Sequence, residues 1–309
     1  MKNTEKILVI TGPTASGKSD LAIKTAKLLD GEIISADSRL VYRDFNIGTA
    51  KPSAEELSAV PHYMIDIVHP EETFTAGIFK KRASEKIKEI LSRGKVPIIA
   101  GGTGFYIKAL IEGLDIPEVE PEIDFRNSMR KLAEEKGREY LHNMLRESDP
   151  ETAKKLHKND IFRIIRALEV QKIAGKAMSE AQSLSKSLYN SIYIGLNAEN
   201  REYLYERITK RVDIMIEQGL VNEVEGLVIK YGKTLSLLKT LGYKEITEYL
   251  EGNAYLDQTK EMIAKNTRNF AKRQLTWFRA NKKIHWFYID KISQDEICAE
   301  IIRIYNESI

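Results

Sequence analysis

The 309-residue sequence contains one cysteine, Cys298, so no disulfide can close within the chain. Its five histidines, His62, His69, His142, His157 and His285, are scattered. No His/Cys set has zinc spacing, which argues against a zinc site. Long apolar runs are missing too. The first apolar stretch, KILVIT at 6–11, is too short for a membrane span and no cleavage site follows it. A reducing cytoplasm is the expected location. There is no internal repeat, no low-complexity tract and no heptad, and a monomer is expected. The formal net charge is only +3, so the total says little about nucleic acid and its distribution must be read instead.

What is present is an ordinary soluble composition, 42% hydrophobic and 30% charged, in a chain long enough for about two domains. Residues 6–11, 32–35, 64–68 and 96–100 read as strands. Residues 19–29 and 75–93 read as helices between them, and a further helix follows Gly104. Apolar strands alternating with helices imply a parallel sheet covered on both faces. The texture changes near Pro117. From 118 to 186 the chain is charged and helical in period, and reads as an insertion. Strand character returns at 192–196, helices dominate to about 282, and a late strand (284–289) and a terminal helix (292–306) close the chain. The expected division is 1–117 with 187–309 as the core domain and 118–186 as a helical insertion domain.

Residues 12–19, Gly12-Pro13-Thr14-Ala15-Ser16-Gly17-Lys18-Ser19, match G-x-x-x-x-G-K-[ST] in full, after a strand and before a helix. Backbone N–H groups of such a loop converge on an anion, aided by the helix dipole. Gly12 and Gly17 permit close approach, Lys18 supplies a positive charge, and the Ser19 hydroxyl can ligate Mg²⁺. The fold class is α/β, a P-loop NTPase-like parallel sheet flanked by helices. The loop does not name the reaction, because kinases, hydrolases and transferases share it.

Asp37 follows the second strand. In an open parallel sheet it should face the loop, where a carboxylate can take a proton or hold a metal-bound water. A turn or helix-capping aspartate explains the position equally well. Gly48-Thr49-Ala50-Lys51-Pro52 is turn-like. Gly101-Gly102-Thr103-Gly104 again ends a strand before a helix, with Thr103 offering a hydroxyl, and a plain structural turn accounts for it about as well. From Lys260 to Lys283 eight Lys/Arg stand against one acidic residue, Glu261, with Phe270, Trp277 and Phe278 interleaved. Basic residues can meet RNA phosphates and aromatics can stack on unpaired bases. A solvated charged face with Trp277 in the core is the competing explanation.

GPTASGKS, SADSRLVYRD, IGTAKP and IIAGGTGFYI occur in this order, followed by NDIFRIIRALEV (159–170), LKTLGYKE (238–245) and KRQLTWFR (272–279). The set resembles the bacterial tRNA dimethylallyltransferases, also called tRNA isopentenyltransferases, over essentially the whole chain. The resemblance implies transfer of a dimethylallyl group from dimethylallyl diphosphate to the exocyclic amine of the adenosine 3′ of the anticodon. It implies that the P-loop holds the donor's diphosphate with Mg²⁺ at Ser19, without ATP hydrolysis. By the same resemblance Asp37 takes the amine proton, and Arg211 joins Lys18 in neutralising the leaving group. Without the likeness, Arg211 would be read as a surface partner of Glu206 or Glu217.

The resemblance further implies that the other substrate, the anticodon stem-loop, meets Asp37, Ser38, Arg39 and Leu40 at an extruded base, with Thr103 at the same channel. In the insertion, Arg126, Asp160, Arg163 and Arg166 are assigned to tRNA. So are Lys239, Gly242, Tyr243, Lys244, Lys272, Arg273, Gln274, Trp277 and Arg279 in the C-terminal half. Two departures are visible: Ile161-Phe162 stand where the family commonly has Pro-Gln, and Ser19 stands where many members have Thr. Three rival readings remain. A P-loop small-molecule kinase leaves the basic helix unexplained. An adenylate isopentenyltransferase has less need of the RNA-binding half. A non-catalytic RNA-binding protein does not need Lys18, Ser19 and Asp37 intact.

Overall fold

The computed structural model describes residues 5–117, 119–181 and 189–308. The chain divides into two compact units, Met1–Ile107 with Leu188–Ile309, and Lys108–Ser187. The division thus begins ten residues before the expected boundary at 118. Residues 118 and 186–187 of that expectation lie outside the described residues.

The first unit carries a six-stranded sheet. Its strands are β1 (Lys6–Thr11), β2 (Gly31–Ser35), β3 (His62–Tyr63), β4 (Val96–Gly101), β5 (Asn190–Asn197) and β6 (Ile284–Tyr288), in the order β3-β2-β4-β1-β5-β6. Every pairing is parallel, with Leu8 opposite Ile98 on one side and Ile192 on the other. Ile7, Leu8, Val9 and Ile10 have no exposed surface at all. Successive side chains point to opposite faces, so complete burial of all four requires cover on both. On one face α1 (Lys18–Leu29) and the last helix pack Leu21, Ala22, Ile297 and Ile301 against Leu8, Ile10 and Ile194.

Helix α2 (Ala54–Ala59) follows β2, α3 (Ala76–Ser92) follows the edge strand β3, and α4 (Gly104–Ile111) follows β4. The second unit is helical: α5 (Ile123–Lys136), α6 (Arg138–Ser148), α7 (Pro150–Lys155), α8 (Ile161–Ala174) and α9 (Met178–Ala181). Leu141, Leu145, Ile164 and Leu168 form its own core. After β5 come α10 (Arg201–Glu217), α11 (Leu220–Tyr231), a 3₁₀ turn (Ser236–Lys239), α12 (Tyr243–Leu250) and the long α13 (Leu256–Arg279), with α14 (Gln294–Glu307) after β6. Among the described residues no helix is long and apolar enough to cross a membrane.

One expected element is corrected. Residues 64–68 do not form a strand. Pairing with β2 stops at Tyr63, and Met64 and Asp66 have φ of 63° and 55°, left-handed values that a ladder cannot accommodate. The segment instead donates from Asp66 and Ile67 to the carbonyls of Leu40 and Val41, which shapes the loop after β2.

Candidate active site

The order of the inner strands decides what meets what. β2, β4 and β1 lie side by side and parallel, so their carboxyl ends open on one edge. Thr11 leads into the phosphate loop, Ser35 into Asp37, and Gly101 into the second glycine turn. The turns interlock. The Thr103 amide donates to the Ala36 carbonyl at 3.1 Å, and the Ser38 amide donates to Thr103 Oγ1 at 3.0 Å. Thr11 Oγ1 donates to the Gly101 carbonyl at 3.1 Å.

The loop has P-loop character in its dihedrals. Gly12 (φ 146°), Ala15 (φ 63°) and Gly17 (φ 82°) alternate in sign with their neighbours, and α1 begins at Lys18 with its first amides turned to the loop. Gly12 has a second constraint, since a Cβ there would stand 2.5 Å from the Leu196 carbonyl oxygen. Lys18 Nζ donates to the Pro13 carbonyl at 2.6 Å. Burial first, and then the Arg211 charge, push this ammonium down to about 7, against the opposing pull of Asp37. The residue as a whole is only half-buried. Arg211 is held below its ordinary value by burial, with Asp37 and Asp20 acting the other way. Among the described residues no ion pair joins Arg211 to Glu206 or Glu217. It lines a cavity of about 110 Å³ with Lys18, Ser19, Asp37, Thr49 and Phe270. Asp37 Oδ1 accepts the Arg39 amide at 2.8 Å, so the turn role and a place in the cavity coexist in one side chain.

Several supports carry no sequence motif that announces them. Arg207 Nε donates to the Ala15 carbonyl at 2.7 Å, and Gln294 Nε2 to the Gly17 carbonyl at 3.3 Å. Glu223 of α11 accepts the amides of Asn46, Ile47 and Gly48 and the Tyr243 hydroxyl, the last at 2.7 Å. One carboxylate thereby holds the loop whose Thr49, Ala50 and Pro52 wall the cavity. Gly48 is required by space, since a Cβ there would meet the Tyr243 ring at 2.5 Å.

The residues assigned to tRNA separate into two groups. Arg39, Lys239, Lys244, Lys272, Arg273, Trp277 and Arg279 are exposed, as is Arg163 in the second unit. Phe162 is 68% exposed on the first turn of α8, after the capping carboxylate of Asp160. Others are occupied inside the protein. Tyr243 is buried against Phe45 with its hydroxyl on Glu223. Gly242 is buried, and its amide donates to Glu245. Arg126 and Arg166 both grip Glu169, at 2.7 and 2.6 Å. Burial raises the Glu169 carboxyl, but these bonds outweigh it and hold the group below the usual carboxylate range. Gln274 is buried and bonds the phosphate loop and the second glycine turn.

On α13 the basic charge is mostly outward. Arg268 and Lys272 lie 5.7 and 5.9 Å from the Tyr205 ring centroid, and Lys260 pairs with Asp213 at 2.6 Å. A larger groove of about 1330 Å³ between α10, α12 and α13 mixes Lys244, Lys265 and Arg268 with Glu245, Glu248 and Asp257. That mixture suits an RNA backbone less well than the exposed Lys272–Arg279 face.

The chain matches the family model described as IPP transferase over residues 40–281. It is 48% identical to a tRNA dimethylallyltransferase of Caldanaerobacter subterraneus subsp. tengcongensis over 305 residues, 97% of each chain. It is 44% identical to one of Bacillus cereus over 301 residues, 97% of this chain and 94% of that one. A full-length tRNA isopentenylpyrophosphate transferase of Bacillus halodurans superimposes with a TM-score of 0.73 at 39% identity, over 98% of both chains. A eukaryotic dimethylallyltransferase solved acting on tRNA superimposes with a TM-score of 0.83 at 27% identity, over 99% of this chain and 81% of that one.

Proposed function

This chain belongs to the IPP transferase family, and from that membership we propose how its own residues move a dimethylallyl group from dimethylallyl diphosphate to N6 of the adenosine 3′ of the anticodon in tRNA. The observation that carries the reading is one cavity in which a P-loop lysine, a second cation and a carboxylate meet: Lys18, Arg211 and Asp37. A diphosphate seated on the loop amides meets both cations. Their charge stabilises the diphosphate as the donor's C1–O bond breaks and the N6–C1 bond forms. Asp37 takes the proton that N6 sheds, and diphosphate leaves.

Mg²⁺ fits this site in a particular way. Among the described residues no group of three or more His, Cys, Asp or Glu side chains could cage an ion. The loop offers hydroxyls instead: Ser19 lines the cavity, and Ser16 Oγ is buried with no partner among the described residues. Mg²⁺ at a phosphate site would need only one or two protein ligands, and Ser19 is the one we assign. When bound, Mg²⁺ would neutralise further charge on the diphosphate.

For the RNA we assign the exposed cations Arg39, Lys239, Lys244, Lys272, Arg273 and Arg279, with Trp277 beside them, and Arg163 on the second unit. We place the reaction in the cytoplasm, by a monomer. The test is transfer of labelled dimethylallyl diphosphate to bulk tRNA, with AMP as the alternative acceptor and ATP as the alternative donor. Label in tRNA alone is expected. Label in AMP would move the chain to the adenylate-prenylating group, and phosphate transfer from ATP would make it a kinase.

A further inference from the structure

The buried stripe of α13 runs Thr259, Ile263, Ala264, Thr267, Ala271, Gln274, Phe278. An amide at the Gln274 position is anomalous by pattern, because a buried polar group is costly unless both its ends are bonded. Both ends are bonded, and to two different catalytic loops. Gln274 Oε1 accepts the Thr14 amide of the phosphate loop at 2.8 Å, and Nε2 donates to the Gly102 carbonyl of the second glycine turn at 2.9 Å. The approach to Gly102 is so close that a Cβ there would stand 2.3 Å from Nε2. The side chain also lines the cavity that holds Lys18, Asp37 and Arg211. Its helical neighbours Lys272 and Arg273 face outward.

We propose that Gln274 is a positioning residue for the transfer reaction and not a tRNA contact. Its amide fixes the spacing between the loop that holds the donor and the turn that flanks Asp37. Thr103 of that turn bonds the backbone on either side of Asp37, through the Ala36 carbonyl and the Ser38 amide. A shift of the turn therefore moves the carboxylate relative to the leaving group, and misplacement of this kind costs rate without removing any reacting group. The geometry also takes the Thr14 N–H away from the anion. Lys18, Arg211 and the later loop amides are left to meet the diphosphate.

This inference rests on the proposed donor and acceptor, and its test separates the two. Wild-type transfer to tRNA checks the proposed function by itself. Gln274→Met keeps the volume and removes both bonds. Gln274→Leu also removes both bonds, with a side chain that carries no charge. Three quantities are measured well below each variant's melting temperature: binding of inorganic diphosphate with Mg²⁺, binding of tRNA, and the single-turnover transfer rate. Gln274→Met is expected to weaken diphosphate binding and slow transfer, together by about ten-fold, since two ordinary hydrogen bonds are lost. Its tRNA affinity should match wild type. If Gln274→Met does not fold, Gln274→Leu, which also removes both bonds and adds no charge, carries the test with the same expectation. Unchanged diphosphate binding and transfer in a folded variant would overturn the proposal and leave Gln274 a packing residue. Weakened tRNA binding with the donor side intact would overturn it in favour of a direct RNA contact.

Discussion

The phosphate loop and the second glycine turn are built on the same plan, a glycine-rich segment between a parallel strand and a helix, yet their glycines answer different needs. In the phosphate loop Gly12 and Gly17 take positive φ, which the chain path itself requires, although Leu196 also crowds Gly12. In the second turn no glycine has positive φ. Gly101, Gly102 and Gly104 are there because neighbours leave no room, with Ala36, Gln274 and Trp277 standing 2.3, 2.3 and 2.1 Å from where a Cβ would be. The first turn borders the space that we assign to an anion, whereas the second is filled by its own protein. A glycine run alone does not tell these apart.

Asp37 lies where the two turns meet, and its removal is the largest effect we expect. Asp37→Ala should cut the single-turnover rate by about 10²–10⁴ while tRNA binding survives, the usual range for a missing general base. A near-normal rate would reduce Asp37 to the turn-capping role that its bond to the Arg39 amide already shows.

The space argument is tested next. Gly104→Ala adds a methyl against the Trp277 ring, and overpacking of this kind costs about 1–3 kcal/mol. A fall in melting temperature is expected, with tRNA affinity reduced because Trp277 must shift. The double variant Gly104→Ala/Trp277→Leu should recover part of the stability. Full stability in the single variant would mean the turn has slack and its glycines serve another purpose.

On the donor side the comparison sharpens through pH. Lys18 is depressed to about 7 in the free protein, so the unliganded loop loses a positive charge as pH rises through about 7. The kcat/KM for donor, which reports free enzyme, should fall over that range. Lys18→Arg, charged throughout, should flatten the profile. The stability linkage has the opposite sense. Between about 7 and the unfolded value the unfolded chain binds the extra proton, so the Lys18 contribution to stability improves as pH rises. A profile unchanged by Lys18→Arg would place the ionisation elsewhere.

The sheet and its order of strands and helices were legible because fully apolar strands and charged amphipathic helices have distinct periods. The strand expected at 64–68 failed on two positive-φ residues, Met64 and Asp66, which composition does not reveal. The P-loop and Asp37 were readable because they are local motifs at strand ends. Glu223, Arg207 and Gln294 were not, since each acts across more than a hundred residues of sequence and none sits in a recognisable spacing. Tyr243 and Gln274 sit inside motifs whose family likeness points to RNA, yet both are buried and bonded within the protein. Motif membership marks a residue as needed without saying whether it faces the ligand or braces what does.

The smallest effect we expect lies on the outward face of α13, and it separates the two halves of the site. Lys272 and Arg279 are exposed, and Lys272 is near the Tyr205 ring while its ammonium remains available to solvent-side anions. If these cations track RNA phosphates, binding releases counterions and weakens with salt. Lys272→Ala and Arg279→Ala should each lower tRNA affinity and flatten the slope of log affinity against log salt by roughly one unit at most. Inorganic diphosphate binding should not change, because the phosphate loop touches α13 through Gln274 on the opposite, buried side. The measurement is tRNA affinity across a salt series beside diphosphate binding for wild type and both variants. Equal tRNA affinity and slope throughout would make this face a solvated one, and the RNA would have to be held by Arg39, Lys239, Lys244 and the second unit instead.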